Sequence, residues 1–307
     1  MKLPGMFKLS PEVSKAILHG KPVVALESTV ITHGLPRPQN LELAQSLEAI
    51  VREGGATPAT IAVIDGELCV GLEPAQLEAL ANNPSVRKLS SRDLAAAVAQ
   101  KASGGTTVAA TLRIAASSRI RVFATGGIGG VHRGSQWDIS ADLPELARQP
   151  LVLVCAGAKA ILDLPATLEQ FETLGVPVVG YGSDNYPAFY SVESGLSTSN
   201  RVDSAAEAAM LARTHWQLGG GGVLLAAPPP VETAIEREEV EAWIVQAQAE
   251  ADAQDIRGQR VSPFLLARVA ELSNGRSLQA NLALLKNNAR IAAEIAKELA
   301  SANTLNA

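Results

Sequence analysis

The 307 residues include only two cysteines, Cys69 and Cys155, each inside an apolar run. They supply neither a disulfide framework nor a zinc cluster, and small buried hydrophobes in a reducing compartment are expected. Aromatic residues make up 4% of the chain against 47% hydrophobic residues in all. That balance disfavours an aromatic-rich β-sandwich and favours a core of Ala, Val, Leu and Ile. No run approaches the ~20 apolar residues needed to cross a bilayer. The opening MKLPGMFKLSPEV, interrupted by Pro4, Lys8 and Pro11, lacks the apolar core of a signal peptide. A cytoplasmic protein with no membrane partner is expected. Excess positive charge is missing too. A net charge of −5 and a pI near 5.5 leave no broad basic face for a nucleic acid polymer, although a single nucleotide remains a suitable ligand.

What the chain does have is alternation. Apolar runs bounded by Gly, Pro or Asp begin at Pro22, Thr60, Arg121, Leu151, Val176 and Gly222 and read as buried strands. TIAVI and ELCVGL flank Asp65-Gly66, residues that tolerate the positive φ of a two-residue hairpin turn. Helical stripes lie between the strands: one after Asn40, expected as its cap, then 107–117, 204–218, 236–254, 263–272 and 278–299. The pattern predicts an α/β fold, layered α/β/α, with a mixed, mostly parallel central sheet and a helical C-terminal region from about residue 232. One domain over 1–307 is expected. Residues 180–201, with Tyr186, Phe189 and Tyr190, read as irregular surface, either a lid or partner contact or an ordinary loop anchored by aromatics.

Several segments combine residue types that do chemistry. FATGGIGGVHRG, from Phe123 to Gly134, follows a strand and offers glycines for close backbone approach to an anion, with Thr125, His132 and Arg133 as further donors. A glycine turn with purely structural duties is the less favoured alternative, and the segment matches neither a dinucleotide fingerprint nor a P-loop. In WDISADL, Asp138 and Asp142 would share one face of a helical turn, with Ser140 between them. Such hard oxygen ligands suit Mg²⁺ or Mn²⁺, yet an aspartate at a helix start is also an ordinary cap. Lys159 closes the run LVLVCAGAK. A lysine emerging from the end of a buried strand is partly desolvated, which frees the amine to attack a carbonyl carbon; a snorkelling lysine is the plain alternative. Glu27, at the end of PVVALEST, has the setting of a general acid or of a turn cap. His33 is placed to line the same cleft or to stabilise the turn, Lys88 and Arg92 are candidate phosphate ligands, and His19 and His215 read as structural or solvated.

Taken together, ALEST at Ala25, FATGGIGGVHRG at Phe123, DISADL at Asp138, CAGAK at Cys155 and PFLLARVAEL at Pro263 resemble the pseudouridine-5′-phosphate glycosidase family, over residues from about 10 to 298. The resemblance implies reversible cleavage of pseudouridine 5′-phosphate to uracil and ribose 5-phosphate, a divalent cation, Mn²⁺ or Mg²⁺, and a homotrimer. It implies Glu27 as proton donor, Lys159 as nucleophile through a Schiff base, and Asp138 as metal ligand. Lys88, Val108, Ser140, Ala141 and Asp142 match substrate-binding positions, Thr125 and His132 the sugar-phosphate pocket. Asn281 is the choice for reading the base, its amide matching both edges of uracil; Asn287 and Asn288 are rivals. Two departures stand out: Ala227-Pro228-Pro229-Pro230 where an Asn-Pro pair is expected, and a shorter loop at Ser135-Gln136-Trp137. Substrate preference or metal affinity could differ with them. A nucleotide N-glycosidase using paired carboxylates and a non-catalytic nucleotide-phosphate sensor are the competing functions.

Overall fold

A computed structural model describes residues 5–134 and 137–301. The chain opens with β1 (Phe7–Leu9), α1 (Pro11–Leu18), β2 (Val23–Leu26), α2 (Gln39–Glu53), β3 (Thr57–Ile64), β4 (Glu67–Val70), α3 (Pro74–Asn82), β5 (Arg87–Leu89), α4 (Leu94–Ala99), β6 (Gly104–Thr106) and α5 (Val108–Ser117). It continues with β7 (Val122–Ala124), β8 (Val131–His132), α6 (Asp142–Arg148), β9 (Val152–Cys155), β10 (Leu162–Asp163), α7 (Leu164–Thr173), β11 (Val178–Tyr181), β12 (Asn200–Val202), α8 (Ala205–Gln217) and β13 (Val223–Ala226). Three helices, α9 (Arg237–Ala253), α10 (Val261–Leu272) and α11 (Arg276–Ser301), complete the described residues.

The main sheet runs β1-β4-β3-β2-β7-β9-β13-β11-β12, with β6 bridging β3 to β5. Its central strands are parallel and buried on both faces, which explains their unbroken apolar sequences. Antiparallel pairing in this sheet is confined to β3 with β4 and with β6. The β3–β4 turn is the Asp65-Gly66 pair, with φ of 51° and 81°. Helices cover both faces, and α11 crosses one face against β2, β7 and β9. The layered, mostly parallel architecture is therefore the one the sequence implies.

Capping fixes several helix starts. Ser10, Thr107, Asp163 and Ser204 each accept a backbone N–H from the first turn of the helix that follows. Asn40 is different from its expected role. Helix α2 begins one residue earlier, and the buried Asn40 amide donates to the carbonyls of Ile31 and Ala81. Cys69 and Cys155 are both free and buried, and burial pushes the Cys155 thiol up to about 12, so it stays protonated and inert. No helix among the described residues is long and apolar enough to cross a membrane.

Candidate active site

The register sets Leu26 beside Ala124 and Ala124 beside Val154. Three neighbouring strands thus stop at one carboxyl edge, the usual ligand-binding edge of an open α/β sheet. Glu27 leaves β2 there and Thr125 leaves β7. Lys159 arrives from the β9 side, but not at the strand end as expected: β9 ends at Cys155, and the chain turns through Gly157, at φ 79°, before reaching the lysine. Glu27, Thr125, Lys159, Lys88 and His33 all line one cavity of about 570 Å³. Gly126 and Gly127 form part of its wall, Phe189 and Tyr190 another, and α10 and α11 close it with Pro263, Leu266 and Asn281.

Burial raises the pKa of the Glu27 carboxyl above the ordinary carboxylate range, against the opposing pull of Lys159 and of a hydrogen bond from Thr125. Lys88 is pushed the other way, below the usual lysine range, first by partial desolvation and then by the charge of Lys159. The lining of one cavity thereby holds a carboxyl biased toward its acid form and two lysine side chains. That pairing can donate a proton to one atom of a bound molecule while an amine attacks another.

The remaining candidates divide into two groups. Asp142 lies beside the cavity wall, not on it, and both of its oxygens are engaged: Oδ1 accepts from Ala109 N at 2.8 Å, Oδ2 from Gly129 N at 2.9 Å. Ser140 Oγ accepts from Asp142 N, and Val108 and Ala141 are the neighbouring residues at the starts of α5 and α6. This cluster holds the glycine loop to α5 and acts electrostatically on Glu27 and Lys88. His132 lies in β8 opposite Leu162 and does not line the cavity. Arg133 turns away to Glu241, so it is not the anion donor its place in the glycine loop suggested. Arg92 is exposed beside Asp93.

Asp138 and Asp142 do not share a helical face. Residues 137–141 precede α6, and Ile139 bridges Val131 in an antiparallel contact, which leaves Asp138 exposed on the approach to the helix. No group of three or more His, Cys, Asp or Glu side chains suited to a metal ion occurs among the described residues. Ser135 and Gln136, in the shortened loop, lie outside the described residues. The three asparagines separate by position. Asn281 is on the cavity wall, the buried Asn288 donates to Thr125 O at 2.8 Å, and Asn287 reaches Pro228 O at 3.4 Å. Ala227 is buried, its N–H on Cys155 O.

Sequence reasoning missed Thr29, which lines the cavity with a hydroxyl that has no hydrogen-bond partner. Its neighbour Glu27 drew the attention, although ALEST already carried the signal. It also missed that α10 forms a cavity wall. Periodicity reported that helix but not where it packs.

These features define an α/β enzyme that handles a small molecule at the carboxyl edge of its sheet. Comparison with known proteins narrows the class. Residues 12–298 match the family model described as indigoidine synthase A like protein. The pseudouridine-5′-phosphate glycosidase of Paracoccus denitrificans is 56% identical over 304 residues, covering 97% of this chain and 100% of the relative. That of Herpetosiphon aurantiacus is also 56% identical, covering 95% and 97%. Among solved structures, the prealnumycin C-glycosynthase AlnA in complex with ribulose 5-phosphate superposes with a TM-score of 0.92 at 39% identity, covering 98% of this chain and 99% of the other. An indigoidine synthase A-like protein from Thermotoga maritima gives 0.88 at 36% identity, covering 96% of each chain. The chain belongs to the pseudouridine-5′-phosphate glycosidase family.

Proposed function

We infer that this protein is a lyase that reversibly cleaves the C–C glycosidic bond of pseudouridine 5′-phosphate to uracil and ribose 5-phosphate. The observation that carries this reading is that Glu27 and Lys159 line one cavity and interact electrostatically there, in a chain more than half identical to full-length relatives of that name. A C–C bond has no heteroatom leaving group to protonate, so the route of ordinary glycosidases does not serve. Covalent catalysis does. Lys159 Nζ attacks C1′ as an amine, the C1′–O4′ bond breaks, and Glu27 gives its proton to O4′. The secondary ammonium so formed returns a proton to the Glu27 carboxylate; its nitrogen lone pair then forms a C1′=N iminium as the bond from C1′ to the base breaks, and C5 of uracil takes that proton from Glu27. Water hydrolyses the imine and releases ribose 5-phosphate.

The raised pKa of Glu27 supports the acid role, since a donor needs its proton at working pH. Asn281 lines the same cavity as Lys159 and can read the base, and Lys88 and Thr125, also in its lining, are suited to hold the sugar phosphate. The family resemblance further implies Val108 and Ser140–Asp142 as substrate-binding positions and His132 as part of the sugar-phosphate pocket, although these residues stand outside the cavity lining. AlnA, in its structure with ribulose 5-phosphate, supports a five-carbon sugar phosphate as the ligand class. The family resemblance implies a Mn²⁺ or Mg²⁺ ion with Asp138 as its ligand; such ions keep several waters and need only one or two carboxylates, so Asp138 would hold it as a largely hydrated ion. When bound it would neutralise charge on the phosphorylated substrate. Paired-carboxylate N-glycosidase chemistry is less favoured, because Asp142 has both oxygens committed to backbone N–H groups. The family resemblance also implies a homotrimer, which light scattering tests, and the free cysteines agree with a reducing cytoplasm.

The test is borohydride reduction in the presence of ribose 5-phosphate, followed by peptide mass spectrometry. An adduct on Lys159, lost in Lys159→Ala together with turnover, is expected. Full turnover by Lys159→Ala would sink the covalent route.

A further inference from the structure

Arg133 is the glycine-loop side chain that the reaction leaves unused, and its hydrogen bonds are unusually complete. Nη2 donates to Ala160 O at 3.0 Å and Nε to Leu162 O at 3.2 Å. The remaining face meets Glu241 of α9 in a two-point pair, Nη1 to Oε1 at 2.5 Å and Nη2 to Oε2 at 2.9 Å. Four of the five guanidinium N–H groups are therefore placed, in a fixed planar fork that a lysine cannot reproduce.

The two carbonyls belong to the backbone that follows Lys159. Other bonds hold the same stretch from the opposite end: Ala158 N donates to the buried Tyr186 hydroxyl at 2.6 Å, and Lys159 N to Ile128 O at 3.1 Å. Leu162 N closes a turn onto Lys159 O. Consecutive residues then face opposite ways. Lys159 lines the large cavity, while Ala160 lines a second one of about 310 Å³ that also holds Arg133 and Glu241. The guanidinium thus stands behind the lysine, fixing its backbone from the far side of the segment.

We propose that Arg133 and Glu241 are positioning residues: Glu241 orients the guanidinium, which holds the 160–162 backbone and so sets where Lys159 Nζ meets the sugar carbon. The proposal rests on the reading of Lys159 as nucleophile. Neither residue touches the substrate. Their effect is geometric, and a misplacement of about 1 Å costs on the order of 10²-fold in rate.

The experiment follows adduct formation by borohydride trapping with ribose 5-phosphate, alongside kcat, KM and melting temperature, in wild type, Arg133→Ala, Arg133→Lys and Glu241→Gln. Expected is a fall in trapping rate and kcat of roughly 10- to 100-fold in Arg133→Ala, with KM little changed and with Arg133→Lys failing to restore it. Glu241→Gln, which alters a half-exposed side chain, keeps the fold and shows a smaller loss of the same kind. Guanidinium ion at millimolar concentration, for which the second cavity has room, restores rate to Arg133→Ala. If wild type forms no adduct, the reading of Lys159 fails. If wild type does form it and Glu241→Gln and folded Arg133→Ala trap it equally fast, the positioning proposal is overturned.

Discussion

Thr125 donates its hydroxyl to Glu27 at 2.5 Å across 98 positions of sequence. The bond joins the ends of β2 and β7 and opposes the desolvation that raises the pKa of the carboxyl. Acid strength at Glu27 is therefore the balance of two local effects, each open to mutation.

Removing the hydroxyl with Thr125→Val takes away a donor that favours the carboxylate, so the Glu27 pKa rises further. The limb of the kcat–pH profile that reports Glu27 should move to higher pH. An unmoved limb would mean that another group supplies the proton.

Glu27 also carries a stability cost of known sign. Its folded-state pKa is raised, so the folded state holds the proton more tightly than the unfolded state, and stability declines as pH rises from the ordinary carboxylate range through the folded pKa. Glu27→Gln should abolish turnover while melting at a higher temperature than wild type above that window. Below the ordinary carboxylate range, where both carry a neutral group, the difference should vanish. Thermal melts at the two pH extremes check it.

Asp142→Asn leaves two N–H donors, the buried one of Ala109 and the partly buried one of Gly129, facing an amide that can accept with only one atom. One unsatisfied buried donor costs about 1–3 kcal/mol, readable as a lower midpoint in urea denaturation. Activity should fall as well, because the glycine loop is tied through this carboxylate.

Gly127→Ala would put a Cβ at 2.6 Å from the Phe189 ring and 3.1 Å from Gly157 O. The ring must shift within the cavity wall, and an increase in KM larger than the change in melting temperature implies is the expected result in steady-state kinetics.

If Asp138 anchors the divalent ion, Asp138→Asn should raise the Mn²⁺ concentration needed for half-maximal rate. An unaltered Mn²⁺ titration would remove Asp138 from that role.

The parallel strands were legible because burial on both faces writes them as unbroken apolar runs, and Asp65-Gly66 announced its hairpin. Strands of two or three residues, such as β8, β10 and β12, are too short to show a period. The Asp138–Asp142 spacing suggested a helical face, but a β-type contact at Ile139 holds the first carboxylate out of the helix. Asn40 has the chemistry of a cap and spends its amide on tertiary bonds instead. Individual site residues stood out by residue type and motif. Their meeting did not, since it follows from β2, β7 and β9 being spatial neighbours, an order that hydrophobic patterning does not encode.

Asn288 of α11 holds Thr125 O, and Asn281 of the same helix stands on the cavity wall. Both follow Glu27, Thr125 and Lys159 in the chain by more than a hundred residues. During synthesis the reactive groups therefore leave the ribosome well before the helix that completes their enclosure. An amine and an acid are therefore not presented in a finished pocket before α11 has been made, and reactive sugar aldehydes meet a competent enzyme only after that helix has docked.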